Sequence, residues 1–166
     1  MRTALDTALT MLSRRALTQA ELVQRLEKKG FCSEEINSTL NRLRDWGYLN
    51  DREVARAYSQ YKQHYYPLKR IRYNLQKRGI DEKTILEVLD EIPTEQEESL
   101  CRSQAQKLWR DTLKRWEKSY RYKKSYARVP QEVFLKQRVG QKLLAKGYSF
   151  ELVTRILEEF NGHSST

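Results

Sequence analysis

The chain has 166 residues, and its 32 Lys and Arg against 22 Asp and Glu give a formal net charge of +10. That length suits one domain or a short repeat array, and that charge favours a polyanionic partner: nucleic acid, an acidic protein or an anionic surface. No segment is apolar for long enough to span a bilayer, and no run alternates at period two, so membrane helices and β-rich folds have no support.

The N-terminal stretch ALDTALTMLSR places Leu5, Leu9 and Leu12 on one helical face. It carries Asp6 and lacks both a long apolar core and a small-residue cleavage site, so it reads as the first helix of a cytoplasmic protein and not as a signal peptide. Thr18 to Glu21 forms a capping box that opens a second helix. Leu22 and Leu26 face inward on it, Lys29 meets the negative end of its dipole, and Gly30 ends it in a left-handed conformation. Phe31 then packs back, and Ser33 caps a third helix with Ile36, Leu40 and Leu43 on its apolar side.

The next stretch repeats this plan. Asn50 or Asp51 caps a helix whose face is Val54, Ala57, Tyr58 and Tyr61, and Pro67 opens another. Ile71, Leu75, Arg78, Gly79, Ile80, the cap Asp81, Ile85, Leu89 and Ile92 then fill the same slots. A third copy begins near Thr94, with a longer lead up to Pro130. It continues through Val139, Leu143, Lys146, Gly147, Tyr148, the cap Ser149, Val153, Leu157 and Phe160. The glycines lie 49 and 68 residues apart, so the third copy carries an insertion of 19. The expected fold is all-α: three tandem three-helix repeats, about nine helices, in an elongated, curved array. The expected units are residues 1–49, 50–93 and 94–166, with a basic insertion near 109–130. Each unit alone is too small to be stable, and stacking lets them share a core.

The stretch from Gly47 to Ile80 resembles the central signature of the RecX family, regulators of the RecA recombinase. It has a Tyr48-Leu49-Asn50-Asp51 start, then a helix, then Arg70-Ile71-Arg72, then the Leu75 to Ile80 ending. Val54, Tyr65 and Tyr66 depart from the family's pattern. The resemblance implies a protein built from three repeats of three helices that binds RecA, chiefly its filament on single-stranded DNA. It implies inhibition of filament extension, and so of ATP hydrolysis and strand exchange, in recombination and DNA repair. It implies neither cofactor nor membrane, and a monomer is adequate.

Charge narrows the candidate surface. Arg56 to Ile80 holds seven Lys or Arg and no acid, and Lys69, Arg72, Tyr73 and Gln76 lie opposite Ile71 and Leu75. Arg70 adjoins them. From Cys101 to Pro130 there are ten Lys or Arg against Asp111 and Glu117. Cys101, Ala105, Leu108, Thr112 and Trp116 form an apolar stripe, with Lys107, Arg110, Lys114, Lys118 and Arg121 almost directly opposite. Beyond them Tyr120, Tyr122 and Tyr126 interleave with Lys123, Lys124 and Arg128, a mixture able to stack on bases while holding phosphates. Ordinary solvated helix faces would share this composition. Trp46, Trp109 and Trp116 are expected to pack at helix junctions.

Catalytic constellations are missing from the sequence. His64 and His163 have no neighbour at metal-ligand spacing, Cys32 and Cys101 imply no disulfide framework, and there is no Gly-rich phosphate loop. A binding protein is therefore expected and not an enzyme. The alternative is an independent DNA-binding protein or transcription regulator that uses its helix-turn-helix pairs.

Overall fold

The computed structural model describes residues 2–122 and 129–160, with side chains as far as Ser119 in the first of these segments. Among the described residues there are nine α-helices and no strand. They are α1 (Ala4–Leu12), α2 (Gln19–Glu27), α3 (Ser33–Asp45), α4 (Asp51–Lys62), α5 (Leu68–Lys77), α6 (Glu82–Asp90), α7 (Thr94–Tyr122), α8 (Gln131–Lys146) and α9 (Phe150–Glu159). Contacts divide the chain into two compact units. One takes in the residues up to Lys62 together with Ile71–Ile92, and the other Gln63–Arg70 together with the residues from Pro93 onward. The start of α5 thus belongs to the second unit and the rest of it to the first.

The repeated glycine turns have one geometry. Gly30, Gly79 and Gly147 take φ of 88°, 79° and 111°. At each, the following residue donates its N–H five residues back, to Leu26, Leu75 or Leu143 at 3.3 Å, and the glycine N–H bonds three back. These paired bonds satisfy carbonyls that a helix end otherwise leaves open. Gly47 makes the same pair at the end of α3, with φ 73° and bonds to Leu43 and Arg44 at 2.9 Å. Two residues after the repeat glycine comes the cap of the next helix: Cys32, Asp81 and Ser149. Ser33 is therefore the first residue of α3 and not its cap, because the register of the turn fixes the cap position whatever residue occupies it.

The repeated apolar slots make the core. Leu22, Leu26, Leu43, Ile71, Leu75, Ile85, Val139 and Leu143 are fully buried, and Ile36, Leu40, Ile80, Leu89, Ile92, Tyr148, Val153 and Leu157 nearly so. Phe31 and Phe160 are half-buried against their clusters. Two faces differ from expectation. In α1 the buried residues are Ala4, Thr7 and Ala8, while Leu5, Leu9 and Leu12 flank the cluster. In α4 they are Val54, Ala55 and Ser59, while Tyr61 is 61% exposed. Small residues in these stripes let neighbouring backbones approach, which bulky side chains would prevent.

Within the first unit, a joint links the first and second copies. The N-terminus of α2 meets the Gly79 turn so closely that a Cβ on Gly79 would lie 2.3 Å from the Ala20 Cβ. The Thr18 hydroxyl donates to the Arg78 carbonyl at 2.6 Å, and the Gln19 N–H donates to the Asp51 carboxylate at 2.7 Å. Arg78 holds Glu21 with two N–H bonds, at 2.9 and 3.0 Å. Burial raises the Glu21 carboxyl, but Arg78 and the Thr18 amide outweigh it and hold the group below the ordinary carboxylate range. Burial pushes Asp51 upward, against the pull of the Gln19 amide. The Gln19 N–H, in the first turn of α2, is otherwise without an intrahelical partner. Asn50 caps α4 by accepting from Glu53, which leaves the Asp51 carboxylate for α2.

The same arrangement appears inside the second unit. The Leu68 N–H at the start of α5 donates to Glu97 of α7 at 2.9 Å. The Lys69 Cβ lies 3.8 Å from where a Cβ on Gly147 would sit. Leu68 and Lys69 occupy the repeat positions of Gln19 and Ala20, eleven and ten residues before the glycine that ends their helix. There α7, α8 and α9 pack on one another around Cys101, Ala105, Val139, Leu143 and Ile156.

Gly79→Val should destabilise the fold by at least about 2 kcal/mol, since it combines a left-handed β-branched residue with a steric overlap. Gly79→Ala should also destabilise, through the Ala20 contact, and an unshifted urea midpoint for both would show that the joint is not formed. The Tyr148 hydroxyl is buried with no hydrogen-bond partner among the described residues. Tyr148→Phe should therefore leave the melting temperature unchanged or raise it, because an unpaired buried hydroxyl costs about 1–3 kcal/mol.

Candidate functional site

The sequence pointed to α5 and α7, and their cations have different surroundings. On α5, Lys69, Arg70, Arg72 and Tyr73 are all exposed. Their charges are partly engaged. Arg72 is ion-paired with Glu82, which also accepts from Gln76, and the Arg70 guanidinium lies 4.1 Å from the centre of the Tyr66 ring. The stem of Lys69 lies against the Gly147 turn. Tyr73, 53% exposed, has the Lys77 ammonium 4.8 Å from its ring centre. The neighbouring α4 cations are also committed: Arg56 donates twice to Glu91 at 2.8 Å, and Arg52 bridges Glu87 and Glu91. The Arg56 hydrogen bond is the main reason the Glu91 carboxyl falls to about 2.

The α7 cations stand apart. Lys107, Arg110, Lys114 and Lys118 are exposed and have no carboxylate partner among the described residues. Their spacing of three, four and four residues keeps them on one side of the helix, over about 16 Å. The opposite side is held inward as expected: Cys101, Ala105 and Thr112 are buried, and Leu108 and Trp116 half-buried. Arg121 and Tyr122 belong to the last turn of α7, but their side chains lie outside the described residues, as do Lys123, Lys124 and Arg128.

Three further cations were missed. Arg115, Arg138 and Lys142 line a cleft of about 240 Å³ between α7 and α8, with Thr112, Trp116 and Phe134. Arg138 and Lys142 lie far from the basic run in sequence, and only the pairing of α7 with α8 brings them to Arg115. Of the tryptophans, Trp109 stacks on Phe160 with ring centres 5.1 Å apart. Trp46 does not pack inward: it is 49% exposed and carries the Arg42 guanidinium 4.9 Å from its ring centre. It immediately precedes the left-handed Gly47, past the end of the amphipathic face of α3.

Among the described residues no three His, Cys, Asp or Glu side chains gather as metal ligands. Burial pushes the Cys101 thiol up to about 11, far from a reactive thiolate. No helix of the described residues is long and apolar enough to cross a membrane.

Comparison with known proteins then places the chain. Residues 4–43 match the family model described as RecX, first three-helix domain. The regulatory protein RecX of Legionella pneumophila (strain Corby) is 29% identical over 161 residues, 96% of this chain and 95% of that one. Along nearly its whole length the chain is similar to RecX proteins. The regulatory protein RecX of Caldanaerobacter subterraneus subsp. tengcongensis is 35% identical over 102 residues, and there the match spans about half of the relative, 52%. A crystal structure of RecX from Lactobacillus salivarius shares the fold, with a TM-score of 0.78, 23% identity and coverage of 95% and 94% of the two chains. A crystal structure of regulatory protein RecX gives a TM-score of 0.75 at 24% identity, over 93% of this chain and 70% of that one. The family read from Gly47 to Ile80 is the family found, and the model match falls on the repeat before that stretch.

In this chain the Glu91 carboxyl should titrate near 2 by NMR. Arg56→Gln should move it up toward the ordinary carboxylate value. A wild-type titration already at that value would show that α4 is not clamped to Glu91 and that Arg56 is free.

Proposed function

We propose that this chain regulates the RecA recombinase by binding along the RecA filament on single-stranded DNA and restraining its extension. ATP hydrolysis and strand exchange by the filament fall as a consequence. One observation carries the reading: the row Lys107, Arg110, Lys114 and Lys118, exposed on one side of α7 without acidic partners. Such a row suits the regularly spaced charges of a nucleoprotein polymer. Similarity to proteins named regulatory protein RecX supports it. The sequence units 1–49, 50–93 and 94–166 act as successive three-helix blocks, and the recurrence of the glycine joint favours that division. The chain acts as a cytoplasmic monomer by binding, without a catalytic step. Lys69, Arg70, Arg72 and Tyr73 contribute secondarily, since Arg72 must exchange Glu82 for the ligand.

The test is RecA ATPase on single-stranded DNA across a salt series, with wild type and with Lys107, Lys114 and Lys118 each changed to Glu together. Wild type should inhibit, less so as salt rises. The triple variant should need at least about tenfold more protein for the same inhibition, from the loss of several charge contacts. Full inhibition by the variant would remove the α7 row from the mechanism. A sharp sequence consensus on random duplexes would favour an independent DNA reader instead.

A further inference from the structure

The first unit holds a basic groove that lies outside the candidate binding stretches of α5 and α7. It has a volume of about 840 Å³ and lies where the ends of α1 and α2 converge. Arg2, Arg14, Arg15, Arg25, Lys28 and Lys29 border it, with no carboxylate in its lining among the described residues, and Met11 and the half-buried Phe31 supply apolar surface. Arg15 has a distant ion partner, Glu21 at 3.9 Å. The other five have no ion-pair partner among the described residues. Compensation of two helix dipoles would explain a cation at the C-terminal end of each helix, but not six cations around one groove.

The repeat sharpens the contrast. Lys29 occupies the slot of Arg78, and Arg78 is turned onto Glu21. Gly79 faces Ala20 and Gly147 faces Lys69, but nothing lies within 4 Å of where a Cβ on Gly30 would be. Among the described residues, the surface that forms a joint at Gly79 and Gly147 is uncovered at Gly30, and Lys29 has no ion-pair partner there.

We infer that this groove binds a short stretch of single-stranded DNA, with phosphates on the cations and an unpaired base against Phe31 and Met11. Charge complementarity selects a polyanion. The apolar patch inside the ring of cations selects one that presents a flat apolar face beside every charge, as single-stranded nucleic acid does and a run of Asp and Glu does not. Duplex DNA keeps those faces stacked and would leave the patch bare. The choice of DNA over RNA rests on the proposed function, whereas the groove itself does not require the recombinase.

The test is fluorescence anisotropy of a labelled oligothymidylate of about 16 nucleotides with the full chain and no recombinase, from about 50 to about 200 mM salt. The paired variant Arg25→Glu with Lys29→Glu should raise Kd at least about tenfold and flatten the salt slope by about two. Lys107→Glu with Lys114→Glu, an equal change of charge, should cost less. Phe31→Leu should weaken binding while leaving the salt slope in place, and circular dichroism melts establish that each variant is folded. The inference is overturned if the groove pair loses no more affinity than the α7 pair. It is also overturned if polyglutamate or oligouridylate binds more tightly than oligothymidylate. Absence of RecA inhibition by the wild-type chain would sink the proposed function and leave the groove's oligonucleotide result standing.

Discussion

A helix start pressed onto a left-handed glycine holds the first unit together. At Gly79 the absence of a side chain lets α2 come within a distance that even a methyl group would forbid. That approach brings the Gln19 N–H at the start of α2 to the Asp51 carboxylate, and Glu21 to the Arg78 guanidinium. One residue type therefore both ends a helix and admits the next neighbour. The groups of three helices are small, and their buried side chains are mostly single layers of Leu, Ile and Val. Contacts between successive groups are needed to complete such thin cores.

Building cohesion into turns and helix ends leaves helix sides available. The sides of α5 and α7 are both basic, yet they differ in what surrounds them. Charges on α5 are met by Glu82, by aromatic rings and by a glycine turn. Exposed ion pairs of this kind contribute about 0–1 kcal/mol, so a polyanion could displace them at modest cost. The row from Lys107 to Lys118 on α7 needs no displacement. The groove at the end of α2 resembles α7 in this respect, and it adds an apolar patch that α7 lacks on its charged side.

Local features were legible in the sequence, and contacts between distant residues were not. The glycine turns, the capping box at Thr18 and the buried slots follow from spacing alone, because a helix repeats its geometry every few residues. Even there, Cys32 took a cap position that composition assigns to serine, since the turn dictates the register. The faces of α1 and α4 were misplaced because periodicity marks large apolar residues, while close helix contacts select Ala and Ser. Arg78 looked like a simple dipole partner, and its pairing with Glu21 spans 57 residues. The groove cations were hidden for a related reason. Between Arg2 and Lys29 the sequence also places Asp6, Glu21 and Glu27, so no basic run appears, and only folding sorts the signs apart.

The joints ask little of any particular side chain. They need a glycine, something tolerable opposite it, and a carboxylate within reach of a backbone amide. Ala20 and Lys69 serve equally well as the residue opposite, and Asp51 and Glu97 as the acid. Drift in most positions is then invisible to the backbone's course. A chain that shares under a quarter of its residues with a Lactobacillus salivarius protein can trace nearly the same path, and its outer faces are left to diverge with whatever they touch.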